Sequence, residues 1–221
     1  MPIDKELLGF ARTAINQRDP SLENNFLTIA RLLDSHPEFR GLRSTRFGFE
    51  SEEYWENLAQ KFVSGRTTNG PTPPSTFPDR VVSIILSEYF DVPFDRLDQV
   101  AHEHKLSMAA ENYVGFLLEL YLSQILEPLG WIWCTGSVVR SIDFIKFDGE
   151  AWFLLQIKNR DNSENSSSSA IREGTEIQKW FRTFSARDMT NWENFPDSAA
   201  KKQMSEDNFR AFVKEYLKSL K

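Results

Sequence analysis

Two β-rich runs, FIKF (144–147) and AWFLLQIK (151–158), flank Asp148-Gly149, and this pairing constrains the fold more than any other stretch of the chain. Asp-Gly between such runs is the strongest short-range signal for a β-hairpin, because these residues accept the positive φ of a tight turn. With Asp148 and Gly149 as a two-residue loop, Phe147 faces Glu150 and, counting outward, Asp143 faces Leu154. Side chains alternate along strands, so Leu154, Gln156 and Lys158 share one face with Asp143, while Phe153, Leu155 and Ile157 point the other way as core. One face of an apolar hairpin thus carries an acid, an amide and an amine, with Asp143 and Gln156 as diagonal neighbours. Polar groups in such a run need partners or a metal ion.

Helices surround this hairpin. Residues 22–36 place Leu22, Phe26, Ile29, Ala30 and Leu33 at helical spacing, and Ser51 with Glu52 and Glu53 opens a second helix that Gly65 stops. The Pro- and Gly-rich stretch 65–80 holds no helix and reads as a loop closing a helical N-terminal region, 1–80. Residues 81–105 read as helical, with VVSIILSEYF apolar enough to be buried, and 108–130 form one long helix stopped by Pro128 and Gly130. WIWCTGSVV and RSIDFIKF read as strands, and 173–185 and 205–220 as further helices. The order predicts a mixed α/β core over 81–221 with the hairpin at its centre, either separate from the N-terminal region or continuous with it.

Composition excludes some classes. No apolar run approaches the ~20 residues of a membrane helix, the N-terminus lacks the apolar core of a secretory signal, and the single Cys134 reads as a buried thiol; a cytoplasmic protein is expected. A formal charge of −6 argues against a protein that coats nucleic acid nonspecifically. Residues 158–188 depart from this trend, with six cations (Lys158, Arg160, Arg172, Lys179, Arg182, Arg187) against five acids, a net of +1. His102 and His104, two apart, fall on different helix faces and make a poor metal pair.

Phosphodiester hydrolysis suits the hairpin cluster. Magnesium prefers oxygen ligands, and Asp143 offers a carboxylate, Gln156 a side-chain carbonyl and Ile157 its backbone carbonyl. Lys158 is placed to orient or deprotonate water and to offset phosphate charge. One carboxylate is too few, so a second acid is expected from the long helix. Glu119, in the apolar VGFLLELYL, is the stronger candidate, and Glu111, eight residues earlier, the other.

Asp143 followed by Gln156-Ile157-Lys158 resembles the PD-(D/E)XK nuclease signature, with Gln replacing the usual acid. The continuation KNRDNSENSSSSAIREGTEIQKWFR (158–182) resembles type II restriction endonucleases of the SinI-like group, and the likeness is read over 107–192. The resemblance implies a restriction-endonuclease-like core, an α+β fold with a central mixed sheet flanked by helices. It also implies Mg²⁺-dependent cleavage of double-stranded DNA at a GGWCC or GGNCC palindrome by a homodimer within a restriction-modification system. The polar block after Lys158 suits base and phosphate contacts: Arg160, Asn162, Ser163, Glu164, Asn165, Ser166 and Arg172, with Lys179, Arg182 and Arg187 toward phosphates. A junction-resolving or repair nuclease with the same core, and an inert DNA- or protein-binding module, are the alternatives.

Overall fold

The computed structural model describes residues 5–41, 47–161 and 176–221. Among these, seven α-helices surround one four-stranded sheet. The helices are α1 (Lys5–Asn16), α2 (Glu23–Ser35), α3 (Glu52–Ser64), α4 (Arg80–Glu88), α5 (Leu97–Leu126), α6 (Ser198–Lys201) and α7 (Glu206–Ser219). The strands are β1 (Ile132–Trp133), β2 (Phe144–Phe147), β3 (Trp152–Arg160) and β4 (Ile177–Thr183), ordered β1-β2-β3-β4. The first two pairings are antiparallel and β3–β4 is parallel, so the sheet is mixed, as expected.

The hairpin forms with a longer turn than a two-residue loop. Phe147 pairs with Trp152 and Phe144 with Leu155, which leaves Asp148–Ala151 as the loop. The Asp148 carboxylate selects it: Oδ1 accepts from the amides of Glu150 and Ala151, both at 2.9 Å, and Gly149 adopts φ +107°. The register shifts by two residues from the expected one. An even shift leaves the side-chain alternation unchanged.

Both faces of the sheet are covered. Leu154, Ile145 and Ile132 pack into a core with Ala11, Phe26, Leu33, Trp55 and Phe62 of α1–α3. Leu155, Ile157, Phe144 and Trp133 pack into a second core with Leu118 and Leu122 of α5, Trp180 of β4 and Phe209 of α7. Burial on both faces explains why β3 reads as a nearly continuous apolar run. Phe153, expected in the core, is exposed instead. Ser51 caps α3 through the Tyr54 amide, as its sequence predicts.

Four further expectations change. The stretch expected as a helix over 173–185 contains β4, since parallel pairing with β3 overrides a pattern in which Ile177, Trp180 and Phe184 fall at helical spacing. The strands expected over 131–147 shrink to β1 and β2, with irregular chain between them. The helical 81–105 is broken after Glu88, and α5 begins at Leu97, well before residue 108. The VVSIILSEYF segment is not buried: Val81, Val82, Ile84, Ile85, Tyr89 and Phe90 are all exposed. No helix among the described residues is long and apolar enough to cross a membrane.

Candidate active site

The site assembles where β2 runs out. At Asp143 the strand ladder gives way: its amide donates to the Leu155 carbonyl at 2.9 Å, and its Oδ2 accepts the Ile157 amide at 2.6 Å. A side-chain oxygen thereby takes the place of a backbone carbonyl, and this fixes the carboxylate against β3. The Asp143 carbonyl accepts from Cys134 N, tying the same residue to the end of β1.

Glu119 reaches the cluster from α5. Its Oε2 accepts the indole N–H of Trp133 at 2.9 Å. Burial, and then the Asp143 charge, push Glu119 up to about 8, against the lowering pull of that hydrogen bond and of Lys158. Burial likewise pushes Asp143 up to about 6, while the Ile157 amide and the Lys158 ammonium pull it down. Two desolvated acids and one amine therefore share a field. Glu111, on the same helix, is exposed and lies eight residues earlier, about 12 Å along the axis.

Gln156 is buried, and Lys158, two residues on, is partly exposed. In an extended strand the N–H and C=O of one residue project to the same side. The Ile157 carbonyl therefore leaves β3 on the side of Asp143. Among the described residues no three His, Cys, Asp or Glu side chains cluster. A cation here would draw on two acids plus amide and carbonyl oxygens, a hard-oxygen set that fits Mg²⁺ better than zinc. The burial that raises both acids, and the Asp143 charge that raises Glu119 further, are what a cation between them would offset.

Trp133 was not singled out by sequence, and neither was the pair that holds it. Arg66 binds Glu127 bidentately, at 2.7 and 3.2 Å, lies over the rings of Phe62 and Trp133, and donates to the Trp133 carbonyl at 3.4 Å. The GWIWC run signalled burial, but nothing in it named Glu119 as the partner of an indole. Cys134 is buried, and desolvation raises its thiol well above the ordinary range, consistent with a structural role.

The residues expected to contact DNA divide into three groups. Asn162, Ser163, Glu164, Asn165, Ser166 and Arg172 lie outside the described residues. Arg160 is exposed at the end of β3, and Lys179 is partly exposed on β4 beside Gln156. Arg182 is ion-paired within the fold. Its Nη1 meets both Glu206 oxygens at 2.7 and 2.8 Å, its Nε donates to Asn159, and it lies over Phe209. Its charge is taken up in joining β4 to α7. An open cleft of about 820 Å³ beside it is lined by Arg160, Arg187, Arg210 and Asp188.

A mixed sheet buried between helices, with acids from a strand and a long helix converging beside a lysine, is the α+β architecture of restriction-endonuclease-like enzymes. A family model described as SinI restriction endonuclease matches residues 8–219. The type II restriction enzyme SinI of Salmonella infantis is 50% identical over 216 residues, covering 96% of this chain and 94% of that protein. The type II restriction enzyme Eco47I of Escherichia coli is 49% identical over 212 residues, 94% of this chain and 92% of its own. The chain belongs to the SinI restriction endonuclease family, as a site-specific type II restriction endonuclease. The likeness read from sequence over 107–192 extends through the N-terminal helices, which pack directly on the sheet.

Proposed function

We propose that this enzyme hydrolyses both strands of double-stranded DNA at a short G·C-rich palindrome, GGWCC or GGNCC, using Mg²⁺, as the cutting half of a restriction-modification system. The observation that carries the site assignment is the convergence of Glu119 and Asp143, both raised by burial, beside Lys158. Asp143, Glu119, the Gln156 side chain and the Ile157 carbonyl would hold the ion. When bound, a divalent cation stabilises charge developing on the phosphate and lowers the pKa of an attacking water.

The chain's own groups do the rest. The Ile157 amide fixes Asp143, and the Trp133 indole fixes Glu119, so neither carboxylate has to reorganise as charge develops. Lys158 Nζ orients the attacking water and offsets charge on the phosphate. The leaving group is the 3′-oxygen, which yields 5′-phosphate and 3′-hydroxyl ends. Arg160 and Lys179, with the polar block 162–172, would position the duplex and read its base edges.

The test is direct. Incubation of plasmid or phage DNA with the protein and Mg²⁺, followed by sequencing of the ends, should give discrete fragments sharing one G·C-rich terminus. A smear, or cleavage only at junctions and flaps, sinks the proposal.

A further inference from the structure

We infer that the open cleft at the end of the β3–β4 ladder holds the backbone of the cleaved strand on one side of the scissile phosphate, with Arg187 and Arg210 as its phosphate contacts. The inference rests on the reading above that Lys158 Nζ faces the scissile phosphate, and it adds two binding residues that act away from the bond being broken.

Position argues first. Arg160 follows Lys158 by two residues on β3, so the two side chains leave the same face of the strand about 7 Å apart. That distance is close to the step between successive phosphates of a DNA strand. The parallel register carries the line outward: Lys158 pairs with Phe181 and Arg160 with Thr183, and both Arg160 and Thr183 line the cleft of about 820 Å³. The cleft therefore begins one phosphate step beyond Lys158.

Its outer wall is a fixed turn. Thr183 bridges to Thr190, and the Phe184 amide donates to the Met189 carbonyl at 3.1 Å. The Ser185 amide donates to Asp161 Oδ1 at 2.8 Å, and Thr183 Oγ1 donates to the Asn159 carbonyl at 2.9 Å. Residues 184–189, which carry Arg187, are thus pinned to the end of β3. A wall set in advance avoids the ordering cost that a loose loop would add to binding.

Charge names the occupant. Arg182 and Glu206 neutralise each other in the cleft wall, which leaves Arg160, Arg187 and Arg210 against Asp188, a net of +2 on a chain of net −6. Among the described residues Arg187 pairs with no carboxylate and lies over the Phe184 ring at 5.1 Å. Arg210 gives only its Nε to Glu206, at 3.0 Å, and its side chain is 68% exposed. Planar guanidinium groups suit the paired oxygens of a phosphodiester. An acidic peptide would meet the same charge but has no cause to lie in line with Lys158; a strand running out of the active site does.

Equilibrium binding of a duplex carrying the cut sequence, followed by fluorescence anisotropy with Ca²⁺ over a range of salt, tests this on the whole chain. Arg187→Ala should weaken binding several-fold and reduce the salt slope by about one, and R187A/R210A by about two. Both positions are exposed, so circular dichroism and melting should match wild type. Arg31→Ala, exposed beside β1 at the opposite edge of the sheet, should leave the slope unchanged. Methylphosphonate linkages, which remove one phosphate charge at a time, locate the contact. A neutral linkage within a few phosphates of the scissile one, on one side only, should weaken wild type as much as Arg187→Ala does and weaken R187A no further. An undiminished effect in R187A, an unchanged salt slope, or an equal loss in R31A overturns the inference. Plasmid cleavage is scored separately. Without discrete fragments the proposed site specificity falls, and a salt slope lowered by Arg187→Ala on any duplex still upholds the cleft. Site-specific fragments from an R187A protein that binds as wild type does sink the cleft and spare the activity.

Discussion

The indole N–H of Trp133 donates to Oε2 of Glu119 at 2.9 Å, which ties the second acid of the site to the strand next to Asp143. Trp133 is itself held by the Arg66–Glu127 pair, so Glu119 is positioned through two layers of contacts. Substituting Trp133→Phe keeps a ring and removes the donor. Partners of this kind typically change metal affinity by 10- to 100-fold. The Mg²⁺ concentration for half-maximal cleavage should rise by about tenfold or more, with kcat at saturating Mg²⁺ much less affected. An unchanged Mg²⁺ requirement would show that the indole only fills space.

Stability of the metal-free protein should fall with rising pH through this pair. Glu119 sits at about 8 in the folded chain against an ordinary value of 4.5, so the folded state binds more protons between those limits. Its contribution is fully present below 4.5 and lost as pH climbs to about 8. Glu119→Gln removes that dependence. Between pH 5 and 8 the melting temperature of wild type should drop by several degrees more than that of the variant, at about 2–4 °C per kcal/mol for a domain of this size. Mg²⁺ should restore the wild type and not the variant. Parallel melting curves contradict the shared field of Glu119 and Asp143.

Lys158→Ala should lower cleavage by about 10²- to 10⁴-fold, while site-specific binding measured with Ca²⁺ in place of Mg²⁺ stays within a few-fold. Loss of binding together with cleavage would move Lys158 from chemistry to docking.

Arg182 and Arg160 should behave oppositely. Arg182→Met breaks a mostly buried pair in which one nitrogen meets both carboxylate oxygens, and leaves Glu206 with Arg210 and Trp192. It should destabilise the fold by about 2–3 kcal/mol with little effect on the salt dependence of DNA binding. Arg160→Ala, at an exposed position, should leave stability intact and reduce the salt slope by about one. Equal salt slopes for the two variants would return Arg182 to the DNA surface.

Much of the candidate site was legible in sequence because it is local: Asp143, Gln156 and Lys158 lie on or beside one hairpin, and the Asp-Gly turn announces it. The turn's true length depended on Asp148 Oδ1 capturing two amides, which spacing alone does not show. Glu119 was legible as an acid in an apolar helix, but its indole partner was not. β4 was misread because Ile177, Trp180 and Phe184 fit a helical period, and only pairing with β3, some 20 residues away, makes the segment a strand. The same non-locality hid the packing of the N-terminal helices, whose Phe26, Trp55 and Phe62 cover a sheet more than 65 residues further along the chain. The apolar run VVSIILS misled, because its hydropathy predicts burial and the segment stands exposed in this chain.

The unbroken α5 also makes the chain a ruler with a phase. One residue inserted between Leu106 and Glu119 advances the carboxylate by about 1.5 Å and turns it by about 100° around the axis, away from Asp143. An insertion of seven residues would bring it back to within about 20° of its bearing but carry it about 10 Å along the axis. This segment can therefore absorb changes at its exposed side chains, such as Glu111, and changes of length hardly at all.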